Sequence, residues 1–264
     1  MDIDITYDKN RLYIDTLIKQ LAQRPQSIVP FIGAGCSMAS GYPGWRRFLV
    51  DLLDVGLSAG LISAAEVADL RRTFDRRPLE EVADRLWASL GSVTFRDKLQ
   101  ASFRRNGRQI RGAVCHVPPL ATNLVLTTNY DQVVEDVWDE YLRRTRTGGP
   151  VQVLTPSDED AFERALADPG HFVFKLHGDV ERPQTWVLTK HDYHAKYHGA
   201  FSSLPLFLRR LMGGGCIPWF LGCSLQDERI LDAMRAAGRS GYAVLPFTDE
   251  PTNEQTADRL RDLV

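Results

Sequence analysis

The sequence predicts a doubly wound α/β fold, a mostly parallel sheet covered by helices on both faces, with an all-helical subdomain inserted in it. Three observations predict it. Short apolar runs recur along the chain and are followed by segments of helical periodicity, the pattern of parallel strands alternating with helices. Several runs end in clusters of small and polar residues. Between residues 63 and 111 the pattern changes to helix-like segments with no convincing strand.

In chain order, residues 10–24 read as a helix, with Leu12, Leu17, Ile18 and Leu21 at helical spacing and Pro25 ending the pattern. Ser27 to Ile32 is a first strand that runs into Gly33, and Trp45 to Val55 is helical again. Leu79 to Leu90 is the clearest helix of the inserted region 63–111. Leu124 to Thr128 is a second strand, followed by a helix from Asp131 to Arg143 with Val133, Val134, Val137 and Trp138 on one stripe. Phe172 to Leu176, Trp186 to Leu188, Ile217 to Leu221 and Tyr242 to Phe247 supply four further strands, and Ile230 to Ala237 a helix. Asn253 to Val264 reads as a helix that would ordinarily lead to another strand, which leaves room for a longer protein of which this is the N-terminal part.

Composition bounds the function. The 264 residues suit one large or two small domains. At 44% hydrophobic and 25% charged residues the chain is of ordinary globular type, not disordered or collagenous. No apolar run is long enough to span a bilayer and the N-terminus is acidic and polar, so a cytoplasmic protein without membrane contact is expected. A formal charge of −2 gives no overall attraction for nucleic acid. The four cysteines, Cys36, Cys115, Cys216 and Cys223, form no CxxC pair, which excludes a structural zinc built on two such pairs.

Four turns at strand ends carry the chemistry. Gly33-Ala34-Gly35-Cys36-Ser37 lies between strand and helix, where glycines permit close backbone approach and amide groups favour an anion such as a pyrophosphate. It matches the dinucleotide-binding template only in part, because Met38 stands where the third glycine belongs. Thr127-Thr128-Asn129-Tyr130-Asp131 offers Asn129 as donor and acceptor for a ribose hydroxyl or a water; helix capping is the plainer role for Asp131. Lys175-Leu176-His177-Gly178-Asp179 places an imidazole where it can exchange protons. Gly222-Cys223-Ser224-Leu225-Gln226-Asp227 offers Gly222 and Ser224 to a second ribose and Asp227 as a helix cap. Any one turn is ordinary, but ligands of open sheets bind beyond the carboxyl ends of the strands, and four polar ends on one rim point to a nucleotide crevice. Cys36 as a nucleophile lacks a neighbouring His or Asp in sequence, and His191, His194 and His198 read as a polar helix face rather than a metal site.

In their order, PFIGAGCS at Pro30 to Ser37, PGW at Pro43 to Trp45, LTTNYD at Leu126 to Asp131, KLHGD at Lys175 to Asp179, VLTKHDY at Val187 to Tyr193 and FLGCSLQDERI at Phe220 to Ile230 resemble the sirtuin-like (silent information regulator type) superfamily. The likeness spans about Ile28 to Phe247 and is nearer to the prokaryotic antiphage-defence branch than to the protein deacetylases. It implies a Rossmann-like domain over residues 1–264 that takes NAD+ as substrate and holds no zinc. In that family the glycine turn holds the pyrophosphate, implying Gly33, Ala34, Gly35, Cys36 and Ser37; Thr128, Gly222 and Ser224, at the other strand ends, are expected to complete the cradle. The Asn of the TTNYD-like motif contacts the nicotinamide ribose, implying Asn129, and the His of the LHG motif is catalytic, implying His177, with Asp131 orienting the region. Defence-branch relatives cleave NAD+ to nicotinamide and ADP-ribose and often carry a helical insertion. The resemblance further implies a homo-oligomer and a partner such as an Argonaute-type protein, a ring ATPase or a fused sensor domain. The alternatives are a non-catalytic sensor of NAD or ADP-ribose and, with less support because the zinc module is absent, an NAD-dependent protein deacylase.

Overall fold

A computed structural model of the chain describes residues 3–74, 78–121, 123–158, 161–162, 165, 167, 170–198, 204–225, 227, 230–232, 235 and 240–244. Six strands form one sheet: β1 (Ile28–Ile32), β2 (Leu124–Thr127), β3 (Gln152–Leu154), β4 (Phe172–Lys175), β5 (Ile217–Leu221) and β6 (Tyr242–Val244). Their order is β3-β4-β2-β1-β5-β6, and every pairing is parallel. The strands on one side of β1 precede, in chain order, those on the other, so the chain reverses direction across the sheet between β1 and β5. That reversal is where an open α/β sheet leaves a crevice beyond its strand ends.

β1, β2 and β4 are buried along their whole length on both faces, which is why they read as mostly apolar runs. Val125 and Val173 point to one face, and Leu124, Leu126, Phe172 and Phe174 to the other, the period-two alternation of a strand resolved into two cores. The first face is covered by α3 (Trp45–Ser58), α4 (Ala64–Thr73), α5 (Leu79–Leu90), α6 (Ser92–Phe103) and α7 (Val133–Thr145), which contribute Phe48, Leu70, Leu86, Phe95 and Trp138. Two other helices, α1 (Ile3–Gln23) and the short α2 (Ala34–Met38), flank β1 in sequence. On the second face, Phe207 and Leu208 pack beside Phe162 and Phe174. Phe207 and Leu208 come from α9 (Leu204–Gly213), which follows the short α8 (Lys190–Tyr193). No strand occurs among the described residues of 63–111, and the helices there share one continuous apolar cluster with the sheet.

Several boundaries differ from the sequence reading. Trp186–Leu188 is not a strand: it leaves the 3-10 turn Pro183–Thr185 as irregular backbone, apolar because it is buried. Its Val187 N–H bonds the His177 carbonyl at 2.9 Å instead of joining the ladder. β3 was not foreseen. The helix expected from Asp131 starts at Val133, because Asp131 Oδ1 accepts the Val133 N–H at 3.1 Å and holds the preceding residues out of the helix. The strand expected over Tyr242 to Phe247 is seen at 242–244; residues 245–247 and the helix expected over Asn253 to Val264 lie outside the described residues. Among the described residues, no helix is long and apolar enough to cross a membrane.

Candidate active site

Strand register puts the four sequence-predicted turns at one level. Ile32 is paired with Thr127 and with Leu221, and Thr127 with Lys175. Across β4-β2-β1-β5 the last paired residues therefore form a single row. Asn129 and His177 each lie two residues beyond the Thr127–Lys175 pair, at the carboxyl ends of neighbouring strands.

The turns after β1 and β5 are bonded to each other. Gly33 N–H donates to the Leu221 carbonyl and Gly35 N–H to the Gly222 carbonyl, both at 2.9 Å. A Cβ on Gly33 would stand 2.5 Å from the Gly222 carbonyl oxygen, and one on Gly222, whose φ is +64°, 2.6 Å from the Cys36 nitrogen. These glycines are needed so that one backbone can lie against the other. Ala34 is half-buried, and Gly35 and Ser224 are exposed.

Ser37 stands between two residues of the second turn. The Asn129 side-chain amide donates to Ser37 Oγ at 3.1 Å, and Ser37 Oγ donates to Asp131 Oδ1 at 3.1 Å. All three are nearly sealed, at 5%, 1% and 3% exposure. A hydroxyl has one hydrogen to give, and that of Ser37 goes to Asp131, so Ser37 braces Asn129. Thr127 completes the brace by donating to the Ile32 carbonyl at 2.7 Å and accepting the Asn129 N–H at 3.0 Å. The Asn129 Oδ1 has no hydrogen-bond partner among the described residues, which leaves it available as an acceptor. Burial raises the Asp131 carboxyl above the usual range, while Lys175 and its donors pull it down.

Beneath the turns lies an ionic cluster. Lys175 Nζ contacts Glu135 Oε1 at 2.6 Å and Asp179 Oδ2 at 2.8 Å, and donates to the Tyr130 and Asp131 carbonyls at 3.0 and 2.6 Å. It thus ties the Asn129 loop to the strand that carries His177. Burial alone would lower the lysine, but the two carboxylates outweigh it and hold the ammonium charged. Burial pushes Glu135 up to about 7 against the pull of Lys175, and its Oε2 is sealed without a partner. Two buried carboxyls, Glu135 and Asp179, around one ammonium are an excess of negative charge that a proton on Glu135 relieves.

His177 follows at the end of β4. Gly178 has φ +93°, and a Cβ there would meet the Thr185 carbonyl oxygen at 2.4 Å, so the chain turns sharply under the imidazole. His177 Nε2 lies 3.2 Å from Asp227 Oδ2 and 3.4 Å from the Tyr193 hydroxyl. Asp227 belongs to the segment after β5, so the first, third and fourth turns are linked through protein contacts. The carbonyl of Asp227 accepts from Ile230 and Leu231, which caps the following helix through the backbone while the carboxylate reaches His177.

Thr128 is half-buried beside Asn129. Cys36 is buried, at 7% exposure, and burial first, then Asp131, raises its thiol, which disfavours the thiolate a nucleophile needs. Burial likewise pushes Cys223 up to about 12. His191 lies in α8 and His194 and His198 in the π turn that continues it, and among the described residues no group of three or more His, Cys, Asp or Glu is set to hold a metal. Sequence reasoning missed the His177–Asp227 contact and the lysine cluster. A lysine inside the apolar strand FVFK was the available signal, since a buried charge needs a partner.

Comparison with known proteins bears on this arrangement. A family model described as the SIR2-like domain matches residues 123–262, more than half of the chain. The chain is similar to proteins named NAD(+) hydrolase ThsA. It is 27% identical to that of Bacillus cereus (strain MSX-D12) over 240 residues, which cover 88% of this chain and 43% of the relative. It is 28% identical to that of Cytobacillus dafuensis over 255 residues, covering 91% and 45%. With that of Enterococcus faecium the identity is 27% over 215 residues, covering 78% and 39%. The chain spans less than half the length of these relatives.

Proposed function

The chain belongs to the SIR2-like domain family, and from that premise we propose that it is an NAD+ glycohydrolase, cleaving NAD+ to nicotinamide and ADP-ribose as an effector of antiphage defence by NAD depletion. The observation that carries the reading is the common level of Asn129 and His177 beyond the paired residues Thr127 and Lys175, beside the crevice between β1 and β5. The relatives' printed name, NAD(+) hydrolase, supports the hydrolase part of the reading.

The bound NAD+ supplies a leaving group that is already cationic, so nicotinamide departs without a general acid. The chain's own part is to bind, align and move one proton. Asn129, held by Ser37, presents Oδ1 as an acceptor to a ribose hydroxyl or to the water. Water oxygen bonds to the ribose carbon as the bond to the pyridinium nitrogen breaks, and the electron pair of that bond stays with nicotinamide. The proton lost by water passes to His177, a role worth about 100- to 10,000-fold in rate. Ala34, Gly35, Gly222 and Ser224 form the crevice wall on the phosphate side, and binding there converts remote contacts into alignment at the reacting carbon. The residues fit NAD+ in that Asn129 Oδ1 and one ring nitrogen of His177, Nδ1, make no hydrogen bond among the described residues.

The defence role, a homo-oligomeric state, a cytoplasmic location and a partner such as an Argonaute-type protein, a ring ATPase or a fused sensor follow from the family likeness and are part of the proposal. Incubating the purified protein with NAD+ and separating the products tests the activity. The reading expects nicotinamide and ADP-ribose in equal amounts; NAD+ that is bound but left intact in every assembled state would favour the sensor alternative instead.

A further inference from the structure

Among the described residues, the hydrogen bonds of the His177 ring fall on one nitrogen. Nε2 faces Asp227 Oδ2 at 3.2 Å and the Tyr193 hydroxyl at 3.4 Å. Nδ1 has no partner among the described residues and is not one of the sealed unpartnered atoms, although the side chain as a whole is only 11% exposed. The two ring nitrogens are therefore in different surroundings, and the difference decides which of them can act as a base.

An ionised carboxylate only accepts hydrogen bonds, so a neutral imidazole beside it must put its hydrogen on the facing nitrogen. We infer that Asp227 is a positioning residue that fixes His177 as the Nε2–H tautomer and so makes Nδ1, on the accessible side, the proton acceptor. This rests on the proposed role of His177 as base. In the step itself, water gives its proton to Nδ1 while Nε2–H continues to donate to Asp227. The aspartate receives no proton; it faces the positive charge that develops on the ring. Tyr193, further away and able to donate or accept, does not select a tautomer, and its ring meets that of His177 edge-on at 5.3 Å between centroids. The Ile230 and Leu231 N–H groups bonded to the Asp227 carbonyl anchor the residue at the start of a helix, which holds its side chain beside Nε2 of the imidazole.

The test reads the tautomer directly and needs no turnover. The full chain labelled with nitrogen-15 histidine is examined by long-range proton–nitrogen correlation near neutral pH, with His177→Gln to assign the signal. The expected result is an Nε2–H ring in the wild type and in Tyr193→Phe. In the nearly isosteric Asp227→Asn, whose amide can donate as well as accept, the expected result is an Nδ1–H ring or a mixture. An Nδ1–H wild type, or an Nε2–H ring unchanged in Asp227→Asn, overturns the inference.

Kinetics supplies a second readout. Asp227→Asn is expected to lower kcat by about 100-fold or more, as loss of a correctly poised base does, with KM changed by less than about threefold. Asp227→Glu, which restores an acceptor, should recover part of the loss. A KM effect with kcat preserved would assign Asp227 to substrate binding and overturn the inference. The two proposals fail separately. A chain that shows the Asp227-dependent tautomer but never cleaves NAD+ keeps the pairing and loses the glycohydrolase; one that cleaves NAD+ with the tautomer indifferent to Asp227 does the reverse.

Discussion

Lys175 Nζ lies 2.6 Å from Glu135 Oε1, with the lysine fully buried and the glutamate 8% exposed. The same ammonium holds Asp179 and the carbonyls of Tyr130 and Asp131, so one charge joins the loop of Asn129 to the strand of His177. Removing it leaves two carboxyls buried without their counter-ion. Lys175→Met is therefore expected to lose about 3–5 kcal/mol of stability, read from urea unfolding. An unchanged midpoint would mean that the cluster is solvated and does not hold the loops.

The pH dependence of stability follows from Glu135. Its carboxyl is raised by burial from 4.5 to about 7 in the folded protein. A raised group binds its proton more tightly when folded, so its contribution is fully present below the unfolded value and is lost as pH rises through the folded one. Stability measured against pH should fall between about pH 5 and 7 more in the wild type than in Glu135→Gln, which has no proton to lose there. Parallel curves for the two proteins would contradict the assignment.

The glycines of the first and fourth turns make a steric prediction. A Cβ on Gly33 meets the Gly222 carbonyl oxygen at 2.5 Å and Cys223 Cα at 2.7 Å, both backbone atoms that no rotamer change can move. Gly33→Ala should cost about 1–3 kcal/mol, as overpacking does. It should also weaken NAD+ binding by parting the two turns. Calorimetric melting and titration with NAD+ check both effects.

Much of the fold was legible because burial leaves a simple imprint. The strands β1, β2 and β4 are buried on both faces and read as mostly apolar runs, and α5 is bounded by Pro78 and by Gly91 at φ +78°, so its ends matched the reading residue for residue. β3 escaped because it is a three-residue edge strand with one exposed and one half-buried position, too short for a period. Trp186–Leu188 misled for the opposite reason: burial made it apolar, while its backbone bonds went to a turn. The four turns were visible as small polar clusters. What joins them was not, since Asp227 and His177 are 50 residues apart and only the register of β4, β2, β1 and β5 brings their loops to one edge.

Ser37 offers a local test of the brace around Asn129. Ser37→Ala deprives the Asn129 amide of its acceptor and Asp131 of a donor in a nearly sealed site. A loss of about 1–3 kcal/mol is expected from the unpaired groups. NAD+ cleavage should fall further than stability alone explains, because Asn129 is then free to turn. Full activity in a folded Ser37→Ala protein would show that Asn129 needs no brace.

The most direct test of the central claim compares NAD+ cleavage by the wild type with that by His177→Ala and Asn129→Ala, each checked for native folding, by following nicotinamide release. The account predicts release by the wild type and a loss of about 100-fold or more in His177→Ala, with a comparable fall in Asn129→Ala. Release that continues undiminished in both variants would contradict it.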